Sequence, residues 1–262
     1  MNRIEEKMAV LPEKKEKAFI TYMTAGLPDM EGTKALIKAQ KEAGVDVIEL
    51  GIPFSDPIAD GPVIQDASYR SICLGTNITK VFRMMEEIRQ EGVDLPIIFM
   101  MYYNTILHYG IQAFAAKCKE TGVDGLIVPD LPLEEQEELK AALAKQDGAI
   151  LIQLVSPVSK ERIPAILQDA RGFVYCVSSM GVTGQAGSFH KEVLAYLSEV
   201  KQISKIPVMM GFGIRTPEDI APMKDVIDGA IVGTYFMQLL EEHHYSVDAA
   251  KKYCRDFKVN LG

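Results

Sequence analysis

Three acids stand close together in "ELGIPFSDPIADGP": Glu49, Asp56 and Asp60, interleaved with Pro53, Pro57 and Pro62. Glu49 ends the apolar run "VDVIEL", where a charge is unexpected. The stretches "GVDVIEL" (44–50), "GVDGLIV" (122–128) and "VIDGAIV" (226–232) echo one another, and each has an Asp at the turn into the run. Aligned on Asp46, Asp124 and Asp228, the position three further on is Glu49, Ile127 and Ile231. Glu49 therefore fills a slot that is apolar in its sister segments, and none of the three runs offers an adjacent Lys or Arg. A carboxyl in such a slot is desolvated and its pKa pushed upward, which makes it a usable general acid or base near neutral pH.

Other chemistries lack their residues. No Lys lies at the end of an apolar run, and Arg215 falls just past one, which argues against a Schiff-base aldolase. None of the four histidines (His108, His190, His243, His244) lies in an apolar run, so no metal site is expected. No Gly-x-Ser-x-Gly elbow is present for an acyl-enzyme route. Carboxylates and phenols remain at the run ends: Glu49, Asp56, Asp60, Asp130, Tyr102 and Tyr175. They point to proton transfer without a cofactor. The later run ends are rich in glycine, in "GVTG" (181–184), "GFGI" (211–214) and "VGTYF" (232–236). Glycine lets backbone N–H groups approach an anion, so a phosphorylated substrate is expected.

These residues need a frame, and the apolar runs supply it. Eight of them recur, at 18–26, 45–51, 95–104, 125–130, 149–157, 173–179, 206–213 and 229–236. Helical periodicity fills the intervals, as in "LEEQEELKAALAKQ" (133–146) and "HKEVLAYLSEVKQIS" (190–204). Strands apolar on both faces that alternate with helices signal a parallel sheet covered on both sides. Eight such units in 262 residues predict a (β/α)8 TIM barrel, one domain over 1–262, with an extra N-terminal helix. A doubly wound open sheet is the main alternative, although no GxGxxG follows the first strand. A net charge of −8 gives no basic footprint for nucleic acid or anionic lipid. No run approaches the roughly 18 apolar residues of a membrane span, and the charged N-terminus lacks a signal-peptide core, so a cytoplasmic location is expected. The four cysteines are widely spaced and are read as reduced, packed thiols.

The segment "ELGIPFSDPIADGPVIQDA" (49–67) resembles the signature of the tryptophan synthase alpha chain family. "GVDGLIVPDLPLEE" (122–135), "YCVSSMGVTG" (175–184), "MGFGI" (210–214) and "IVGTYF" (231–236) follow in that family's order and spacing. The resemblance covers essentially the whole chain. It implies a barrel that cleaves indole-3-glycerol phosphate to indole and glyceraldehyde 3-phosphate. It also implies a pyridoxal-phosphate-dependent beta chain as partner in an α2β2 complex, the cofactor belonging to that partner and none to this chain. Carried over residue by residue, Glu49 is the acid/base, Asp60 accepts the indole N–H, and Tyr175 assists. Gly184, Gly213, Gly233 and Thr234 hold the phosphate; Tyr22, Met100, Tyr102, Ile127, Ile152, Phe212 and Ile214 surround indole. Thr183 lies on a closing loop, and Asp56 faces the partner.

The chain departs from the family pattern at Val63, Thr105 and Tyr22, and "SSMGVTG" lacks the basic residue that some members carry before the Thr. Three other readings stand beside the two-subunit lyase: a phosphosugar isomerase sharing the phosphate site, a non-catalytic regulatory subunit, and a stand-alone lyase.

Overall fold

A computed structural model describes residues 2–177, 186–211 and 213–261, with the backbone alone for 186–191. Nine parallel strands form one sheet: β1 (Ala18–Thr24), β2 (Val47–Gly51), β3 (Ile97–Met100), β4 (Gly125–Ile127), β5 (Ile150–Leu151), β6 (Gln153–Val155), β7 (Val174–Cys176), β8 (Val208–Met210) and β9 (Gly229–Val232). Their order is β5-β4-β3-β2-β1-β9-β8-β7-β6. The two ends of that order are the halves of one run, separated only by Ile152, whose N–H donates to the Leu126 carbonyl at 2.9 Å. At Ile152 the chain changes partner from β4 to β7, and the ring closes there. The expected eight runs are thus eight rungs of a TIM barrel, the fifth in two pieces.

Alternation sorts the side chains. One set packs inside the ring: Ala18, Ile20, Val47, Ile98, Ile127, Ile150, Ile152, Phe173, Tyr175, Met209 and Ile231. The other set packs outward against the helices in a larger cluster that includes Phe19, Ile48, Ile97, Phe99 and Val208. The expected N-terminal helix, Arg3–Glu13, joins the inner set and stoppers the ring with buried Ile4, Met8 and Leu11. Its start is a capping box, the Asn2 side chain accepting from the N–H groups of Ile4 and Glu5 while Glu5 accepts from the Asn2 N–H. The segment 133–146 is divided: Leu133–Glu135 forms a 3-10 turn, and the α-helix begins only at Glu137. Gln136 interrupts the pattern because its buried side chain bonds the Leu131 carbonyl and Gln153. Cys118, Cys176 and Cys254 are buried and Cys73 is exposed, all as free thiols.

The three Asp residues used above to align the repeats do one job. Asp46 N–H donates to the Phe19 carbonyl, and its carboxylate accepts from Phe19 N–H, both at 2.9 Å. Asp124 closes the same ring with Ile97, again at 2.9 Å each way, and Asp228 closes it with Val208 at 2.8 and 2.7 Å. Each carboxylate also meets a cation: Lys258 at 2.7 Å from Asp46, Arg89 at 2.8 Å from Asp124, and Lys201 beside Asp228. The device locks the start of one strand to the start of the next, at the end of the barrel opposite Glu49. Burial raises the pKa of Asp124 and lowers that of Arg89, so this pair adds more specificity than net stability. Removing one partner is a different matter, because the other stays buried and unpaired. Asp124→Ala is expected to lose about 3 kcal/mol of unfolding free energy in a guanidinium titration, with catalytic constants unchanged below the melting transition.

Candidate active site

Glu49 projects from β2 into the mouth of the barrel, in register with Tyr22 on β1 and Ile98 on β3. It is 1% exposed, and neither carboxyl oxygen has a hydrogen-bond partner among the described residues. Burial without compensation pushes its pKa up to about 8, so the side chain is neutral at pH 7. The phenols of Tyr22 on β1 and Tyr175 on β7 are buried near Glu49 and are held above their usual range, first by burial and then by nearby groups that include Glu49. Both therefore stay protonated. Tyr175 sits close to the chain of β8: a methyl group on Gly211 would fall 2.6 Å from its hydroxyl.

Asp60 comes from the loop after β2 and is half-buried. Its position is set by Tyr102, whose hydroxyl donates to Asp60 Oδ2 at 2.9 Å and accepts from the Ala59 N–H at 2.9 Å. The Tyr102 ring stacks on Phe54 of the same loop at 5.1 Å, and the Phe54 N–H donates to Ser68 Oγ at 3.0 Å. Gln65 donates to the Asp60 carbonyl at 2.9 Å. Burial raises the Asp60 pKa, and the bond from Tyr102 pulls it back down. The two acids are thus made different by their surroundings: one has no partner, the other has a donor.

A cavity of about 600 Å3 joins these groups to the far side of the barrel mouth. Tyr22, Glu49, Asp60, Met100 and Tyr175 line it together with Gly211, Gly213, Ile214, Arg215, Gly233 and Thr234. Gly213 has φ +68°, a conformation in which other residues are strained. Thr234 begins the helix Thr234–Glu242, whose cap residue is Gly233 and which has no side-chain cap. Its first N–H groups are donors without partners in the helix.

Comparisons with known proteins place the chain in a family. The profile of the family described as "Tryptophan synthase alpha chain" matches residues 8–261. The tryptophan synthase alpha chain of Lachnospira eligens is 60% identical over 262 residues, covering 100% of this chain and 99% of that one. The chain belongs to the tryptophan synthase alpha chain family. A second relative of that name, from Alkaliphilus metalliredigens, is 44% identical over the full length of both chains. The crystal structure of tryptophan synthase subunit alpha from Legionella pneumophila superposes with a TM-score of 0.89 at 34% identity, covering 100% of this chain and 98% of that one. A chain of Mycobacterium tuberculosis tryptophan synthase gives 0.88 at 32%, covering 99% and 98%.

Within this alpha chain family barrel, the residues singled out from sequence fall into six groups. Glu49, Asp60, Tyr175, Tyr22, Met100, Ile214, Gly213, Gly233 and Thr234 all line the cavity. Tyr102 does not; it tethers Asp60 from behind. Ile127 and Ile152, 0% and 1% exposed, lie in the packed interior and do not line the cavity. Thr183, Gly184 and Phe212 lie outside the described residues. Asp56 is exposed on the loop, its carboxylate accepting from the Ser55 hydroxyl at 2.5 Å and its carbonyl from the Ile58 N–H at 2.9 Å. Asp130 is a cap, accepting from the Tyr103 N–H at 2.9 Å where the helix Tyr103–Tyr109 starts. Leu154, Val177 and Ile231 line the cavity without having been foreseen. Leu154 and Val177 stand two residues beyond Ile152 and Tyr175, so the period of two is the signal that reaches them.

Removing the Tyr102 hydroxyl takes away the one bond that lowers the Asp60 pKa. In Tyr102→Phe the Asp60 carboxyl is expected to titrate at higher pH than in the parent chain, read from its carbon-13 chemical shift. The acidic limb of the pH–rate profile should move the same way, and an unmoved Asp60 midpoint would show that Tyr102 does not set it.

Proposed function

We propose that Glu49 and Asp60 divide the work of cleaving indole-3-glycerol phosphate to indole and glyceraldehyde 3-phosphate, the carbon–carbon lyase reaction of this family. The observation that carries the assignment is the buried Glu49 carboxyl with no partner. Neutral at pH 7, it enters the cycle as an acid and gives its proton to indole C3. The ring becomes a cationic indolenine, and the Asp60 carboxylate, accepting the indole N–H, stabilises that charge. Glu49, now a carboxylate, takes the proton of the glycerol hydroxyl as the carbon–carbon bond breaks. The electron pair of that bond returns the ring to neutral indole, the hydroxyl carbon becomes the aldehyde, and Glu49 ends protonated as it began. Tyr175, neutral throughout, assists as a hydrogen-bond donor. Tyr22, Met100 and Ile214 hold the indole, and Gly213, Gly233 and Thr234 hold the phosphate at a helix start. No step draws on a cofactor.

The partner is a beta chain, and we place it on the catalytic end of the barrel in an α2β2 assembly, with pyridoxal phosphate in the beta chain. Three apolar side chains on segments leaving the strand ends support this: Ile58, 83% exposed, after β2; Leu107, 52%, after β3; and Val158, 84%, after β6. Exposed apolar side chains at one end of a molecule suit a docking face. Asp56 lies beside Ile58 on the same loop. Residues 1–262 act as one barrel domain in the cytoplasm; no helix among the described residues is long and apolar enough to cross a membrane.

Glu49→Gln separates catalysis from folding. Turnover of indole-3-glycerol phosphate, measured with and without a beta chain, is expected to fall at least a thousand-fold, about 4 kcal/mol of barrier. Stability should not fall with it. The unfolded carboxyl ionises around its ordinary value of 4.5, the folded one only around 8, so the folded state binds the extra proton between those values. The parent chain therefore loses stability as pH rises from about 4.5 to about 8, and Gln removes that loss. The variant should melt at least as high as the parent at pH 8. A collapse of melting temperature would instead make Glu49 a structural residue. Separately, Ile58→Asp is expected to leave turnover by the isolated chain within about twofold while cutting the stimulation by a beta chain roughly ten-fold. Equal stimulation of the two proteins would remove Ile58 from the interface.

A further inference from the structure

We infer that Arg215 supplies the cation for the substrate phosphate, in place of any basic residue from the loop that follows β7. The inference rests on the reading that the phosphate lies at Gly213, Gly233 and Thr234. Among the described residues Arg215 is the one Lys or Arg lining the 600 Å3 cavity, which otherwise carries the acids Glu49 and Asp60. A phosphate dianion entering beside two carboxyl groups needs a compensating positive charge. The helix start at Thr234 contributes only backbone N–H groups, equivalent to about half a charge. The segment 178–189, "SSMGVTGQAGSF", contains no Lys or Arg to add one.

Arg215 is built to fill this gap. Its main chain is fixed on both sides: the N–H donates to Asp219 Oδ2 at 2.8 Å, and the carbonyl accepts from the Tyr253 hydroxyl at 2.8 Å. Asp219 is further held by the capping box with Thr216. The guanidinium itself has neither an ion pair nor a hydrogen bond among the described residues. Arg215 thus presents an uncommitted guanidinium from an anchored main chain, two residues beyond Gly213. A guanidinium bonds a phosphate through two parallel N–H groups, which an ammonium cannot reproduce.

The test uses the complex with a beta chain and three variants, Arg215→Gln, Arg215→Lys and Gly233→Asp. The ligands are indole-3-glycerol phosphate, indole-propanol phosphate as inhibitor, and indole-propanol without phosphate. Arg215→Gln is expected to raise KM and the inhibition constant of indole-propanol phosphate roughly ten-fold. Its kcat should stay within about twofold, and binding of unphosphorylated indole-propanol should not change. Arg215→Lys should recover part of the loss. An unchanged inhibition constant in Arg215→Gln overturns the inference, as does equal weakening of the unphosphorylated ligand. Gly233→Asp, which sets a carboxylate at the helix start, tells the two levels apart. If it weakens the phosphorylated inhibitor while Arg215→Gln does not, only the role of Arg215 falls. If neither variant matters, the phosphate site itself lies elsewhere and both readings fall.

Discussion

A carboxyl group held inside the barrel with no hydrogen-bond partner is the constraint around which the rest of the structure is arranged. Burying such a group costs free energy, and the ionised form costs far more than the neutral one. The fold meets that cost with the neutral form. β2 runs between β1 and β3 with full parallel ladders on both sides, so Glu49 cannot swing out toward water. Tyr22 on β1 and Tyr175 on β7 lie near it with phenols that stay protonated, and they add no positive charge that would draw the proton off. The result is a proton stored at pH 7 beside an apolar cavity. A Lys or Arg in the slots flanking Glu49 would pair with it, restore an ordinary carboxylate and end the stored acidity.

The opposite end of the barrel shows the same side-chain chemistry turned to structure. Asp46, Asp124 and Asp228 are also buried or partly buried carboxylates on the same repeats, yet each accepts a backbone N–H and meets a cation. Three residues along one strand separate a paired carboxylate from an unpaired one. The paired set fixes where the strands begin and so fixes their register. Register then decides which residues reach the mouth, because a slip of one position would turn Glu49 outward to the helices. The N-terminal helix closes the paired end, leaving the unpaired end as the open one.

Much of this was legible in the sequence because it depends on pattern. The eight apolar runs, the exceptional Glu49 among Ile127 and Ile231, and the glycine-rich late strands are all local signals. Depth is a different quantity. Ile127 and Ile152 have the right type and face for the indole pocket, but the stagger of the strands sinks them into the packed interior, and Leu154 and Val177 line the cavity. Hubs are harder still. The three prolines stiffen the loop, but the contact that fixes Asp60 is the hydroxyl of Tyr102, some forty positions along the chain. No spacing rule announces a side chain that accepts from one residue and donates to the next. Gln136 divided its helix for the same reason, through a buried bond to Gln153 on another strand.

The loop after β2 also shows how a partner's contact reaches the reaction without any long pathway. Ile58 faces solvent, Ala59 gives its N–H to Tyr102, and Asp60 takes the Tyr102 proton donor. Only Ala59 separates the apolar side chain proposed to meet a partner from the carboxylate proposed to face the indole nitrogen. Covering Ile58 restricts the loop, and a restricted loop loses less entropy when Asp60 takes its working position. The same cover excludes water from the mouth, which strengthens the attraction between the Asp60 carboxylate and the cationic ring. On the proposed mechanism both effects favour the charged intermediate over the bound substrate, and docking there acts on the chemical step as well as on binding.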